Sequence, residues 1–298
     1  MQGHKEIACV HNKEVYIMKH KGLLFIVTAI VVLSSCSSYA ANLKLGLAAK
    51  ANLPVEQLSK AVVNGKNLLL WDVNANSNDV PADIRYYDNI ASMLLALEAG
   101  EIDEIGEIRP VMEYLIAQNP NLKVSRVFAL PAEIGFTFGF MNDEKGKALC
   151  SKFNKALHII KQAGRLDKLT AKYLVRPGRK EPDAVKFASF QGGETIRVAV
   201  TGDRPPIDYV APDGKPAGFN TALLAEVGKR LGCNIEILQV DTASRVAALT
   251  SGRADVIFWV EVHKISPDTD GKQPDLTPDI IVSEPYCSYD LFFRIRKK

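Results

Sequence analysis

Two similar ten-residue segments, far apart in the chain, constrain the fold more than any other feature of the sequence. Residues 96–105 and 248–257 share alanine, leucine, glycine, aspartate and isoleucine at the same five positions. Asp88-Asn89 precedes the first segment and Asp241-Thr242 the second, and such residues favour helix starts. Each segment therefore predicts a capped helix, a glycine that ends it and a buried strand. The repeat indicates two lobes with related β-α-β cores.

The rest of the sequence alternates predicted strands and helices in both halves. The predicted strands are residues 68–73, 84–87, 102–108 and 134–141 in the first half, and 196–200, 235–240 and 254–262 in the second. The predicted helices are residues 110–118, 145–163, 166–174, 219–231 and 242–251. Strands that alternate with helices of this length are typical of parallel sheets with right-handed crossovers. We expect an α/β fold of two lobes, each with a mainly parallel sheet flanked by helices.

Residues 18–40 have the order of a secretory signal peptide. A basic stretch, 18–21, precedes an unbroken apolar run, 22–33, and small residues lead to Ala40. The run is too short to span a bilayer comfortably, and cleavage after Ala40 satisfies the small-residue rule. Leu33-Ser34-Ser35-Cys36 also resembles a lipobox in which Cys36 would be acylated. We expect an exported protein, either soluble or anchored through Cys36, and the early start of the folded part favours the soluble form.

Charge and cysteine content exclude several classes of function. Residues 1–40 contain four lysines and two glutamates, so their removal lowers the formal net charge from +3 to about +1. A near-neutral chain without basic runs has no electrostatic footprint for nucleic acid. With two histidines left and no glycine-rich phosphate loop, we expect no metal site, catalytic triad or cofactor. The remaining Cys150, Cys233 and Cys287 allow at most one disulfide, and the sequence does not show one.

The candidate ligand site lies where the loops after the predicted strands converge. In open parallel sheets, ligands bind beyond the carboxyl ends of the strands, near helix N-termini that favour negative groups. If both lobes turn these ends toward one another, they form a cleft with a hinge behind it. The candidate contacts are Asp203, Pro206, Ile207, Tyr209, Thr242, Arg245, Trp259 and Glu261 in the second half, and Asn74, Ser77, Glu107 and Arg109 in the first. Asp88 and Asp241 are expected as helix caps, and Trp259 is equally compatible with core packing.

The same segments carry a family resemblance. The strand 196–200, the element Asp203-x-Pro205-Pro206-Ile207-x-Tyr209 and residues 213–220 resemble the opening of the amino-acid-type extracellular solute-binding proteins, which have the type II periplasmic-binding fold. Residues 248–257 and 283–298 are similar to the family's next unit and its passage into the hinge. Residues 92–105, 114–123 and 153–174 resemble its second lobe and closing helices. The resemblance implies a monomer that binds a small polar solute and delivers it to a membrane ABC permease.

The order of these segments differs from the order in the family. Residues 42–140 correspond to the family's second lobe and 141–175 to its closing helices, while 176–194 form a linker and 195–298 correspond to the first lobe. The chain thus resembles a circular permutant, which neighbouring termini make tolerable. The rival interpretation is two truncated tandem copies that assemble with a partner. The permutant is favoured because the pieces add up to one complete unit.

Several departures from the family pattern leave the ligand open. Ile207 stands where the family usually has an aromatic residue, and residues 265–278 lack the arginine that usually grips an α-carboxylate. We hypothesise that Arg245 replaces this anchor. The ligand is expected to be an amino acid or a related metabolite. One alternative is a lyase or dehydratase on the same fold, with Glu261 or Glu107 as acid or base; another is a sensory module that presents its ligand to a membrane receptor.

Overall fold

The structure is a computed structural model that describes residues 43–48, 62–63, 66–67, 82–175, 185–263 and 277–298. The strands are β1 (Leu43–Ala48), β2 (Val62–Val63), β3 (Lys66–Asn67), β4 (Ala82–Tyr87), β5 (Glu104–Ile108), β6 (Leu122–Met141), β7 (Thr195–Val200), β8 (Asp203–Arg204), β9 (Asp208–Val210), β10 (Pro216–Ala217), β11 (Asn234–Gln239), β12 (Val256–His263), β13 (Ile280–Val282) and β14 (Cys287–Lys297). The helices are α1 (Ile90–Ala99), α2 (Arg109–Gln118), α3 (Glu144–Gln162), α4 (Arg165–Tyr173), α5 (Phe219–Leu231) and α6 (Arg245–Thr250), with a 3₁₀ turn at Thr242–Ser244.

One nine-stranded sheet contains most of the described strands, in the order β11-β7-β12-β6-β14-β5-β1-β4, with β13 beside β6. At one end, β7 pairs in parallel with β11 and β12. At the other end, β1 pairs in parallel with β4 and β5. The two parallel triplets are joined by β6 and β14, which are antiparallel to each other and to their outer neighbours. The predicted mixed α/β fold, with a sheet flanked by helices, is confirmed.

The repeated segments occupy equivalent positions in the two triplets. Gly100 and Gly252 both have left-handed φ angles, 75° and 71°, just after the ends of α1 and α6. The Asp103 N–H donates to the Lys44 carbonyl of β1, and its Oδ2 accepts from the Lys44 N–H (2.8 Å). Asp255 does the same toward β7, where its Oδ2 accepts from the Arg197 N–H (3.0 Å). The repeat therefore fixes how each helix returns to the central strand of its triplet.

The core is centred on β6, where apolar and small residues alternate as the sequence predicts. Phe136, Phe138 and Phe140 are fully buried on one face, and the rings of Phe138 and Phe140 meet that of Phe153 on α3 edge-on, at 5.0 and 5.2 Å. Burial of each phenylalanine stabilises the fold by about 1.5–3 kcal/mol. On the other face, a Cβ on Gly139 would lie 2.7 Å from the Ile257 side chain, so glycine lets β12 approach closely.

Several boundaries differ from the sequence-based expectations. The strand expected at 134–141 begins at Leu122, because the amino-terminal half of β6 also pairs with β14. The helix expected at 242–251 starts as a 3₁₀ turn, and the Asp241 side chain makes no capping bond, so that predicted cap is wrong. The cap of α1 is Asn89 rather than Asp88, and its side chain accepts from the Ser92 N–H (2.8 Å).

Other predictions fall wholly or partly on residues outside the described ranges. These are the signal peptide, Cys36, the strand at 68–73 and the first part of the linker. The described part of the linker, 185–194, contains no helix or strand, and Asn234 binds both the N–H and the carbonyl of Phe190. Cys150, Cys233 and Cys287 are free thiols. Within the described ranges, no helix is both long and apolar enough to cross a bilayer.

Candidate functional site

A small recess lies at the carboxyl ends of β7, β11 and β12. Its lining consists of Thr201, Arg204, Ile207, Asp208, Thr242, Arg245 and Trp259. Its cavity volume is about 10 Å³, which is room for about one water molecule. The recess is therefore smaller than a metabolite.

The carboxyl ends of the two triplets meet at this recess. The N–H of Ile90, at the start of α1, donates to Oδ2 of Asp203 (3.1 Å). The hydroxyl of Thr242 donates to the carbonyl of Asp88 (3.1 Å). Arg204 Nη2 lies 3.5 Å from Oε1 of Glu107, at the end of β5. The structure thus places the two predicted edges face to face, in contact through a small number of polar groups.

Trp259 has the most unusual backbone of the described residues. Its φ angle is +62°, and it is the one non-glycine residue in the described ranges with a positive φ. Such a conformation is an outlier for a bulky residue and costs on the order of 1–3 kcal/mol. It coincides with the register shift of β12 between Ile257 and Val260. The shift turns the indole onto the Phe136 ring, with centroids 3.8 Å apart and planes at 20°.

Side chains from other elements hold the backbone of Trp259. Its N–H donates to the Tyr286 hydroxyl (3.2 Å), and its carbonyl accepts from Nη1 of Arg245 (2.7 Å). The indole is 5% exposed, and its Nε1 has no hydrogen-bond partner among the described residues. A buried donor without a partner costs about 1–3 kcal/mol and calls for an explanation. A bound solute with an acceptor group would supply one.

Arg245 is buried at the start of α6 and binds backbone carbonyls. Its Nε donates to the carbonyl of Thr242 (3.3 Å), and its Nη1 donates to those of Phe258 (2.5 Å) and Trp259 (2.7 Å). These bonds explain an arginine that the helix dipole disfavours at a helix start. The sequence did not suggest this role, and the role of carboxylate anchor stays a prediction.

Two buried carboxylates flank the recess from opposite sides. Glu107 is 3% exposed, and burial raises the pKa of its carboxyl although the Arg204 guanidinium lowers it. Its Oε1 accepts no hydrogen bond from the described residues. Asp208 is equally buried and accepts from the Thr201 hydroxyl (2.8 Å) and the Asn220 amide (3.2 Å). Burial also raises the pKa of Asp208, against the effect of the Thr201 hydrogen bond.

Arg204 is the cation that these acids share. Burial alone would lower the pKa of its guanidinium, but nearby carboxylates raise it. Those carboxylates belong to Glu107, Asp203, Asp208 and Glu261. Sequence reasoning did not single out Arg204, Asp208 or Thr201 as contacts, although the first two lie in the Pro-Pro loop. The signal was a dense group of charges directly after a buried strand.

The predicted contact residues separate into three groups. Ile207, Thr242, Arg245 and Trp259 line the recess, and the charges of Asp203, Glu107 and Glu261 raise the pKa of Arg204, which also lines it. Pro206 and Tyr209 are buried beside it, where the Pro206 carbonyl accepts from the start of α5. Arg109 is 60% exposed at its side chain and pairs with Glu113 on the same helix (2.7 Å), and its role as a ligand contact stays a prediction. Asn74 and Ser77 lie outside the described residues.

The described residues offer no metal site, since no group of three or more histidine, cysteine, aspartate or glutamate side chains there could hold a metal ion. The recess instead presents hydroxyls, carboxylates, guanidinium groups and one indole. Pockets that combine apolar walls with a few convergent polar groups are typical of small-molecule sites. The arrangement suits reversible binding of a small polar molecule once the two edges separate.

Sequence comparison shows that part of the chain is similar to a known family. Residues 196–260 match the model of the bacterial extracellular solute-binding proteins, family 3. This segment runs from β7 to the bulge of β12, so it includes every residue that lines the recess. The family resemblance is confirmed for this segment, which is less than half of the chain. No curated protein matches the sequence.

Solved structures that are similar to the chain come from several bacteria. The ligand-binding component of an ABC-type import system from Staphylococcus aureus, with zinc bound, has 12% identity and a TM-score of 0.40; the match covers 86% of this chain and 65% of that one. The alkanesulfonate-binding protein SsuA from Xanthomonas axonopodis pv. citri, bound to MOPS, has 14% identity, a TM-score of 0.38 and coverage of 87% and 66%. The GluR0 ligand-binding core from Nostoc punctiforme, with L-glutamate, has 10% identity, a TM-score of 0.37 and coverage of 86% and 85%. The chain thus spans just under two thirds of the Staphylococcus aureus protein.

Proposed function

We propose that this protein is an exported solute-binding protein that holds a small polar solute between its two strand triplets. The observation that carries the proposal is the meeting of two sets of strand ends around a buried recess, which contains an indole N–H without a hydrogen-bond partner among the described residues. Ligands of parallel sheets bind at this edge. Residues 196–260, which match a family of extracellular solute-binding proteins, contain the whole lining.

Binding requires the two triplets to separate, because the recess as it stands holds about one water molecule. In the described part of the chain, polar contacts between the edges include Ile90 with Asp203, Thr242 with Asp88, and Arg204 with Glu107. Each contact is polar and is replaceable by water in an open state. The long strands β6 and β14 run between the triplets, so bending there would open the recess while both triplets stay intact.

Uptake is the biological role that this activity serves best. A monomer that closes on its solute outside the cytoplasmic membrane would release it to an ABC permease, and the ligand would be an amino acid or a related metabolite. The signal peptide predicted at residues 18–40 supports an extracytoplasmic location. Acylation at Cys36 would tether the protein without changing its ligand chemistry.

Native mass spectrometry of protein purified from its own host tests this function most directly. A co-purifying small molecule at one copy per chain is the expected result, and calorimetry then gives its affinity. Asp203→Asn is expected to weaken binding about tenfold or more, since Asp203 lies at the contact between the edges. Asp213→Asn is the matched control, because Asp213 pairs with Lys215 in an exposed loop. Equal losses in both variants would contradict the proposed location.

A lyase is the second candidate, and the burial of Glu107 with its raised pKa is the observation that favours it. A carboxyl of this kind is a common general acid. Incubation with the co-purified solute separates the two functions. With protein and solute at equal concentration, a binding protein returns the solute unchanged, whereas a lyase converts it to a product of altered mass.

A further inference from the structure

We infer that Arg204 holds the two strand triplets together when no solute is bound, so that a solute must displace its guanidinium from Glu107 before it can enter. The inference rests on the proposed function and adds its resting state. Arg204 lies on β8, in the second half of the chain, and Glu107 lies on β5, in the first half. Their side chains are 15% and 4% exposed, and Nη2 lies 3.5 Å from Oε1. A buried ion pair of this kind is screened by salt much less than an exposed one.

The charges around Arg204 explain why closure depends on it. Burial lowers the pKa of its guanidinium, but the carboxylates of Glu107, Asp203, Asp208 and Glu261 raise it. Glu107 comes from the opposite half of the chain, whereas the other three belong to the half that contains Arg204. Burial raises the pKa of Glu107, Arg204 lowers it, and the charges of Glu261 and Asp203 raise it further. Closure therefore brings like charges together, and the guanidinium offsets their repulsion.

The backbone of Arg204 is held in place by its own half of the chain. It pairs with Asp208 across β8 and β9, and its carbonyl accepts from the Ile207 N–H (2.8 Å). Two prolines follow it, and their rings fix the φ angles of the loop. A side chain on a fixed backbone loses less conformational freedom when it forms a contact than one on a mobile loop. Arg204 thus reaches Glu107 from a rigid base.

A solute has no room in the recess while Arg204 pairs with Glu107. The recess has a volume of about 10 Å³, and Arg204 is part of its lining. The neighbouring contact between the edges, from the Ile90 N–H to Asp203, is one hydrogen bond (3.1 Å), which water can replace when the edges part. The apparent affinity for a solute falls with the fraction of molecules that can accept it. Release of Arg204 would therefore set how strongly the protein binds its solute.

Hydrogen exchange of the Ile90 N–H, measured on solute-free protein, tests the inference. This N–H donates to Asp203 across the edges, so it exchanges when the triplets separate. The Ser92 N–H is the internal control, because it donates to Asn89 in its own helix cap (2.8 Å). The protein is dialysed exhaustively, and native mass spectrometry verifies that no solute remains. In the parent, we expect exchange at Ile90 to be at least about tenfold slower than in an unfolded chain.

Arg204→Gln is expected to speed exchange at Ile90 about tenfold or more and to leave the control amide unchanged, because closure would bury Glu107 without its cation. Glu107→Gln is expected to act in the same direction. The double variant is expected to exchange no faster than the faster single variant, since both remove one contact. Lys215→Gln, which removes a cation from an exposed ion pair between β9 and β10, is the matched control and should change neither amide. Small-angle X-ray scattering gives a second measure, a larger radius of gyration for Arg204→Gln.

Several results would overturn the inference. Fast exchange at Ile90 in the solute-free parent would show that the triplets rest apart, and unchanged exchange in Arg204→Gln would show that other contacts close them. Both results leave the proposed function standing if a solute co-purifies with the protein. Equal acceleration at Ile90 and Ser92 would mean that Arg204 stabilises the whole fold rather than the closure, which also contradicts the inference. Absence of any co-purifying solute would instead contradict the proposed function, whatever the exchange rates are.

Discussion

Asp255 is the residue whose replacement has the best-defined effect on stability. Its carboxylate accepts a bidentate pair of hydrogen bonds from the Arg197 guanidinium, both at 3.0 Å. It also accepts a hydrogen bond from the Arg197 N–H (3.0 Å) and forms an ion pair with the ammonium group of Lys145 on α3 (2.9 Å). One side chain therefore ties the turn before β12 to β7 and to the first turn of α3. Asp255→Asn keeps the shape of the side chain and removes its charge.

The size of the effect follows from the pKa of Asp255. Partial burial alone would raise this pKa, but the hydrogen bonds from Arg197 and Lys145 outweigh burial and lower it from 3.8 to about 2. A difference of this size corresponds to about 2 kcal/mol, at 1.36 kcal/mol per pKa unit. Because the folded-state pKa is the lower one, the stabilisation is fully present above about pH 4 and is lost as the pH falls toward 2. Asp255→Asn is therefore expected to lower the free energy of unfolding by about 2 kcal/mol at pH 7.

Urea unfolding at several pH values, followed by circular dichroism, measures this difference. The matched control is Asp103→Asn, at the equivalent position of the repeat. Asp103 is exposed and accepts one backbone N–H (2.8 Å), and an asparagine oxygen can still accept it. We expect its replacement to cost less than about 1 kcal/mol. If the two variants lose equal stability, or if the loss at Asp255 is the same at pH 2.5 as at pH 7, the electrostatic argument is wrong.

Three further predictions concern other parts of the described fold. Gly146→Ala is expected to destabilise the protein by about 2 kcal/mol, because the added Cβ would overlap the Met141 carbonyl oxygen; thermal unfolding measures the loss, and an unchanged melting temperature would contradict it. Arg245→Met is expected to cost about 3 kcal/mol, because buried carbonyls lose their donor; urea unfolding checks it, and a loss below about 1 kcal/mol would refute the structural role. Burial raises the pKa of the thiols of Cys150, Cys233 and Cys287. Protein cleaved after Ala40 should therefore resist Ellman's reagent at pH 8 until urea is added. Rapid labelling of the folded protein would contradict this prediction, because it would show that the thiols are accessible.

Features with a local cause could be predicted well from the sequence. The helix predicted at 219–231 has those bounds, since its apolar spacing and the following Gly232 are local signals. The strand–helix–strand order around each repeat also follows from neighbouring residues. These elements place the loops of the recess, so Ile207, Thr242, Arg245 and Trp259 could be found without a structure.

Features that depend on distant pairing could not be predicted. The sequence suggested two separate sheets, whereas β6 and β14 join both triplets into one. The length of β6 is set by its pairing with β14, which lies far away in the chain. The Arg204–Glu107 contact is equally non-local, since each side chain belongs to a different triplet. The first residue of a helix can turn its side chain along the helix, as Arg109 does toward Glu113, and its role as a ligand contact stays a prediction.

The strained backbone of Trp259 links the fold to the proposed activity. Its conformation costs on the order of 1–3 kcal/mol and leaves an indole N–H buried without a partner among the described residues. A glycine at this position would relieve the backbone, so folding alone does not require tryptophan. Buried side chains, among them Arg245 and Tyr286, nevertheless hold the N–H and carbonyl of this residue. These contacts hold the indole at the edge where the triplets meet, stacked on Phe136 of β6. In the proposed opening, β6 is one of the strands that would bend. Under the proposed function, the same residue would contact the solute and respond to the separation of the two triplets.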